Sequence, residues 1–245
     1  MTKFNIIKLD ATTSTNDWLK EKYIKSKCFD GDLVWANEQT NGKGQKGNVW
    51  ISEPGKNLTF SFFKILKGIK VQDQFLINCA VSLAIIKALE KTQVPKLSLK
   101  WPNDILSDEK KICGILIENF VKGDTLSGSI VGVGLNVNQI DFGELISASS
   151  IFNQTDKELD LELVLNRLLV CFEENFKFCK SKHKNYLIKE YENHLFGKNQ
   201  VLKFEIDNKI FGAVIKGIDS QGKLILEDEK GEINLFSRSS IKMLY

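Results

Sequence analysis

Leu97-Ser98-Leu99-Lys100-Trp101-Pro102-Asn103-Asp104-Ile105-Leu106-Ser107-Asp108-Glu109-Lys110-Lys111-Ile112-Cys113-Gly114-Ile115-Leu116-Ile117-Glu118 predicts two short strands and a longer return strand. Leu97 and Leu99 alternate with Ser98 and Lys100, the period of a strand with one buried face. Pro102 ends that strand, because it has no N–H for a ladder and restricts the residue before it. Asn103-Asp104 follow at a turn, where short polar side chains bond nearby backbone. Ile105-Leu106 is a second apolar run, Ser107 to Lys110 a polar turn, and Lys111 starts the return strand. Strict alternation puts Lys111 on the face of Cys113, Ile115 and Ile117. An amine beside an apolar row either snorkels at a strand end or is aimed into a pocket, and this stretch alone leaves both open.

Upstream, Phe4 to Leu9 reads as an edge strand. Thr12 to Asp17 is a run of cap formers, with Asp17 three residues after Ser14, so a helix should follow through Trp18, Leu19 and Tyr23. Asp32 to Ala36 is a strand leading to Gln39 and the glycine loop Gly42-Lys43-Gly44-Gln45-Lys46-Gly47-Asn48, closed by Trp50. Such a loop is a solvated hairpin tip or a cradle whose N–H groups face an anion. It lacks the Gly-x-x-x-x-Gly-Lys-Ser/Thr spacing of a nucleotide P-loop. Leu58 to Phe63 alternates as a strand, and Asp73 to Lys91 carries the wide apolar stripe of a core helix.

Downstream, Val131, Val133, Leu135 and Val137 alternate with Gly132, Gly134, Asn136 and Asn138. A face of glycine and asparagine packs core poorly and suits close approach of a ligand or another backbone. Gln139 to Asn153 has no period and is long enough for a mobile flap. Asp160 to Lys180 is helical, and a shorter helix through Leu187, Tyr191 and Leu195 should end at Gly197 as its C′ residue. From Gln200 onward, short apolar runs separated by Asp207-Asn208, Asp219 to Gly222 and Glu229 to Gly231 predict a small β-barrel of SH3-like size, with no residue-level sign of chemistry.

The 245 residues are 42% hydrophobic and 27% charged, ordinary for a globular chain with one substantial core and a small appendage. The net charge of +3 is too mild to indicate nucleic acid. The five cysteines have no C-x-x-C spacing and read as reduced, buried thiols of a cytoplasmic protein. His183 and His194 are too few for a metal site or a His-based triad. No signal peptide and no membrane-length apolar run are visible, and too few residues precede the first motif to hold a helix-turn-helix domain.

Taken in order from about Asp10 to about Asn138, the glycine loop, Lys100-Trp101-Pro102-Asn103-Asp104, Lys111-Ile112-Cys113-Gly114 and Gly132-Val133-Gly134-Leu135-Asn136-Val137-Asn138 resemble the biotin protein ligase family. The resemblance implies an α+β fold: a mixed or antiparallel sheet with helices on one side, like class II aminoacyl-tRNA synthetases. It implies a catalytic domain over 1–196 and an SH3-like barrel over 197–245. It implies activation of biotin by ATP, with Mg2+, as biotinyl-AMP. Transfer to a lysine of a biotin carboxyl carrier protein or carboxylase domain follows, with no repressor role, no DNA and no membrane, by a monomer or homodimer.

Residue by residue, the resemblance assigns Lys111, Asp104 and Lys100 to catalysis. Biotin would meet Ser14, Thr15 and Asn16, then Gln39 and the loop residues Gly42, Lys43, Gly44 and Gln45, with Lys111 and Gly114 opposite. ATP or the adenylate would meet Lys43, Lys46, Trp50, Asn103, Lys111 and Asn136, and no metal ligand is assigned. The family usually has arginine where Gln45 stands, so adenylate retention should lean on Lys43 and Lys46. Competing readings are a lipoate ligase, a non-catalytic binding or regulatory module, and an RNA-binding protein gripping phosphate with the lysine loop.

Overall fold

The protein is described by a computed structural model covering residues 4–179 and 181–244, without the side chains of Lys46 and Ser181. Among the described residues, twelve strands form two sheets. The first unit runs β1 (Asn5–Thr12), α1 (Thr15–Ile24), β2 (Asp32–Gln39), β3 (Leu58–Ile65), α2 (Phe75–Glu90), β4 (Leu97–Lys100), β5 (Asp104–Ser107), β6 (Lys110–Lys122) and β7 (Thr125–Leu135). Then come α3 (Ile151–Thr155), α4 (Leu161–Phe176) and α5 (Lys184–Asn193). Its seven strands lie in the order β1-β2-β3-β7-β6-β5-β4, with β1 and β2 parallel and the other pairs antiparallel. The mixed sheet agrees with the sequence reading.

Helices cover both faces, not one. Leu33, Phe62 and Val131 pack toward α2, α4 and α5, and the neighbouring Val34, Phe63 and Ile130 pack with Leu19 of α1. With both faces covered, β3 is buried from Leu58 to Phe63, so its alternation marks two cores instead of one core and water. α2 is buried nearly all round and not along one stripe, because α4 and α5 pack against it as well as the sheet. The Ser14 side chain caps α1 by accepting from the Asp17 N–H, as its sequence predicts.

The shorter helix stops at Asn193, before Gly197. The Leu99 N–H donates to the His194 carbonyl at 2.7 Å and the Phe196 N–H to the Leu99 carbonyl at 2.9 Å. Residues 194–196 thus extend the sheet beside β4, and this pairing ends the helix early. Ser150 caps α3 and Asp160 caps α4. The cysteines are unpaired, and no helix among the described residues is long and apolar enough to cross a membrane.

The second sheet contains β8 (Val201–Ile206), β9 (Lys209–Ile218), β10 (Leu224–Glu227), β11 (Ile233–Phe236) and β12 (Lys242–Leu244), all antiparallel, in the order β11-β10-β9-β8-β12. It is joined to the first unit by specific bonds. The buried Trp101 indole N–H donates to the Gly222 carbonyl at 2.8 Å, and the Ile218 N–H donates to Glu192 at 2.8 Å. Gly222 has φ +83°, and a Cβ there would run into the Phe75 ring of α2. Gly222→Ala should therefore cost about 2 kcal/mol or more, from backbone strain plus overpacking. A lowered denaturant midpoint would show it; an unchanged one would mean that this joint is soft.

Candidate active site

The central lysine is placed by a β-bulge. On β5 and β6, Ile105 pairs with Cys113 but Leu106 pairs with Lys111, so Ile112 is an extra residue. A bulge re-aims the side chain beside it. Lys111 is turned away from the row of Cys113 and Ile115, which are core, and joins Gly114 on the opposite face. A Cβ on Gly114 would lie 3.3 Å from both Cε and Nζ of Lys111. The expected shared face with Cys113, Ile115 and Ile117 is corrected by that one inserted residue. The 139–153 segment holds the bulge, since the Lys111 N–H donates to the Ser147 carbonyl at 2.7 Å and the Ser149 N–H to the Lys111 carbonyl at 2.9 Å.

The Lys111 ammonium pairs with Asp104 Oδ1 at 2.7 Å and lies 5.5 Å from the centre of the Trp50 ring. Lys100 lies on the far side of Asp104, at 3.8 Å. Burial pushes the Lys100 ammonium below its ordinary value; Asp104 opposes the shift and Lys111 adds to it. One carboxylate thus keeps two cations close together. Asn103 is held just before it, its amide donating to the Ile115 carbonyl at 2.6 Å.

Opposite the lysine, side chains make one polar row. The Thr15 N–H donates to Gln39 Oε1 at 2.8 Å, and the Thr15 hydroxyl is 3.0 Å from the same oxygen. Thr15 Oγ1 lies 2.7 Å from Ser61 Oγ, and Ser61 Oγ lies 2.6 Å from Asn16 Oδ1. The Asn16 amide then donates to Glu118 at 2.9 Å, and Glu118 pairs with Lys20 at 2.8 Å. Thr15, Asn16 and Ser61 are buried. Small residues make the floor. A Cβ on Gly132 would collide with Asn16 Oδ1, and one on Gly134 with the Trp50 indole.

The glycine loop closes over this floor. The Gly44 N–H donates to the Asn48 carbonyl at 2.7 Å and the Trp50 N–H to the Gly42 carbonyl at 2.9 Å. Lys43 is paired with Asp17 of α1 at 2.7 Å. The Trp50 indole N–H is buried with no hydrogen-bond partner among the described residues. With the indole laid across Gly114 and Gly134, about 50 Å³ stays open in the cleft. A ring-bearing ligand needs several times that volume, so the cleft as it stands is too small for one.

Of the residues expected from sequence, Ser14, Thr15, Asn16 and Gln39 line the cleft from the α1 side. Lys43, Gly44, Gln45 and Trp50 line it from the loop, and Asn103, Lys111 and Gly114 from the far strands. Gly42 sits just behind, where a Cβ would meet the Trp50 carbonyl and, at 3.0 Å, the Gln39 amide. The Lys46 side chain lies outside the described residues. Asn136 is off this cleft: its amide donates to the Ser149 carbonyl at 2.9 Å, and its buried Oδ1 has no partner among the described residues. Asn138 is a brace, bonded both ways to the backbone of Leu159. Sequence reasoning missed Ser61 and Glu118. The small hydroxyls of β3 offered a signal, because Thr59 and Ser61 pair in register with Gly134 and Gly132.

A family model described as the biotin/lipoate A/B protein ligase family matches residues 9–136. The bifunctional ligase/repressor BirA of Bacillus subtilis is 29% identical over 237 residues, 95% of this chain and 72% of that protein. The biotin–[acetyl-CoA-carboxylase] ligase of Mycobacterium tuberculosis is 30% identical over 164 residues, 64% of this chain and 59% of its own. Among solved structures, a biotin protein ligase from Aquifex aeolicus in complex with biotin and ATP superposes with a TM-score of 0.81 at 27% identity, covering 98% of both chains.

Replacing Asp104 with Asn would leave the Lys100 and Lys111 charges without their shared counterion, at a cost of about 1–2 kcal/mol at pH 7. Lys100 would then lose the group that raises its pKa, and the folded state would shed that proton more easily than the unfolded chain. The penalty should therefore shrink as pH rises from 7 to 10. Denaturant midpoints of both proteins across that range would test this; a gap that stays constant or widens would contradict it.

Proposed function

The chain belongs to the biotin/lipoate A/B protein ligase family, and on that footing we propose that it is a biotin–protein ligase working at the Lys111 cleft. A carboxylate is a poor acyl donor. In the first step the biotin carboxylate attacks the α-phosphorus of ATP, the bond to the β-phosphate oxygen breaks, and pyrophosphate leaves. Nucleophile and phosphate are both anions, so fixed positive charge lowers the barrier without a covalent enzyme intermediate. Lys111 bridges carboxylate and phosphate oxygens, letting go of Asp104 as it does so. In the second step a substrate lysine ammonium gives one proton to Asp104 and its amine attacks the acyl carbon; the acyl bond to the phosphate oxygen breaks, and AMP leaves with the amine's second proton on its phosphate. Lys100 stays paired with Asp104 when Lys111 turns to the ligand.

The observation that carries the reading is the Lys111–Asp104 pair facing the polar row of Gln39, Thr15, Ser61 and Asn16. A ureido ring needs donors and acceptors together, which hydroxyls and amides supply. A dithiolane ring has no such need, and this favours biotin over lipoate. The unpartnered, buried Asn136 Oδ1 is a candidate acceptor for the adenylate, as is Asn103 on the cleft wall. No group of three His, Cys, Asp or Glu among the described residues would hold a metal alone. Mg2+ would instead take Asn136 Oδ1 or Asp104 with phosphate oxygens and water, and would supply charge to offset the pyrophosphate.

The acceptor is a biotin carboxyl carrier domain. A groove of about 960 Å³ between β6, near Ile117 and Asn119, and the 221–223 turn supports a protein partner, with Lys70, Asp124, Lys223 and Arg238 among the residues that line it. We read 1–196 as the catalytic domain and 197–245 as a small barrel, in a cytoplasmic ligase without a repressor role; the mild charge of +3 supports the absence of DNA binding.

Lys111→Ala should abolish biotin-dependent exchange of pyrophosphate into ATP while the protein stays folded. Exchange with lipoate, or retained exchange in the variant, would overturn the proposal. Because Gln45 adds no charge and Lys43 is engaged by Asp17, this enzyme should also release free biotinyl-AMP during turnover. Chromatography of the reaction would detect it, and complete retention would count against that role for Gln45.

A further inference from the structure

We propose that Glu118 is a specificity-determining positioning residue, which fixes the Asn16 amide so that the polar row is one proton short and takes a ligand bearing N–H donors. The inference rests on the biotin reading above and assigns it a new determinant.

Two amide orientations in the row are dictated by chemistry. The backbone N–H of Thr15 can only donate, so the oxygen of Gln39 faces it, at 2.8 Å. A carboxylate can only accept, so the NH2 of Asn16 faces Glu118, at 2.9 Å, and its oxygen is turned to Ser61. Between these fixed ends lie three oxygen–oxygen contacts: Gln39 to Thr15 at 3.0 Å, Thr15 to Ser61 at 2.7 Å, and Ser61 to Asn16 at 2.6 Å. Two hydroxyls, those of Thr15 and Ser61, supply two protons for those three contacts. Whichever way the hydroxyls turn, one pair of lone pairs meets without a proton. Thr15, Ser61 and Asn16 are buried, so water does not readily make up the deficit there, and an N–H from the cleft finds a surplus acceptor.

The Leu116 carbonyl also faces the Asn16 NH2, but at 3.5 Å it is a weak acceptor beside Glu118 at 2.9 Å, so without the carboxylate the amide has little left to keep it from turning over. Its NH2 would then donate to Ser61, the Ser61 proton would go to Thr15, and the Thr15 proton to Gln39. All three contacts would be filled from within, and an N–H-bearing ring would have to break one of them to bind. Glu118 thus keeps the pocket in the state that wants the ligand. Lys20, at 2.8 Å, holds the carboxylate at the rim, where its side chain is 30% exposed. An ion pair so exposed adds little to stability, so the arrangement acts on selection more than on folding.

The test is steady-state pyrophosphate exchange on the full chain with Glu118→Ala, varying biotin and ATP separately. The KM for biotin should rise at least tenfold, with kcat within threefold, the KM for ATP within twofold and an unchanged melting temperature. Should the alanine variant not fold, Glu118→Met keeps the aliphatic stem on β6 and makes the same prediction. A biotin KM within twofold of the parent would overturn the proposal, as would a loss shared equally by kcat and both KM values. Failure of the parent protein itself to exchange with biotin would instead sink the ligase reading.

Discussion

One extra residue in β6 decides which way Lys111 points, and the layout of the candidate site follows from it. Without the bulge at Lys111 and Ile112, the pleat would send the lysine stem into the core against Cys113 and Ile115. With it, the ammonium emerges on the other face, 2.7 Å from Asp104. The bulge is stabilised from two directions: β5 supplies the register shift, and the backbone around Ser147 and Ser149 clamps the N–H and C=O of Lys111. A long, entropically costly side chain is thereby delivered to one place by backbone bonds, which hold position better than the side chain itself can.

The rest of the cleft follows from how the two faces of the sheet are used. One face is packed against α2, α4 and α5. The other is covered by α1 and, where α1 begins, opens onto small residues: Ser61 of β3, Gly132 and Gly134 of β7, and Gly114 of β6. Side chains there would fill the space, so what remains is a shallow floor under the glycine loop. The helix start supplies polar groups at one end of that floor and the bulge supplies charge at the other. A ligand with a polar ring at one end and an acid at the other matches that layout.

The C-terminal sheet is tied to the same construction. Trp101 lies in the core with its indole N–H on Gly222, and the next residue, Pro102, accepts at its carbonyl from Asn78 at 2.6 Å and Tyr191 at 2.9 Å. The segment that carries Asn103 and Asp104 is therefore braced by α2, by α5 and by a turn of the second sheet. The small sheet has no chemistry of its own that the structure reveals, yet it is part of what holds Asp104 still.

Local patterns determined a good deal. The mixed sheet, the capped α1, the core helices, the strand-rich tail and most cleft residues were legible from spacing and from the Lys-Trp-Pro-Asn-Asp and Lys-x-x-Gly strings. Four things were not. The face of Lys111 depended on a register shift, which is a property of two paired strands and not of either alone. The early end of α5 depended on Leu99 bonding to residues 194–196 across a long sequence separation. The double burial of β3 came from a helix on each side, where a single-face rule expects one. Ser61 and Glu118 joined the site because strand pairing brought them beside Asn16, and hydrogen-bond complementarity between residues 45 and 102 positions apart leaves no periodic trace in a sequence.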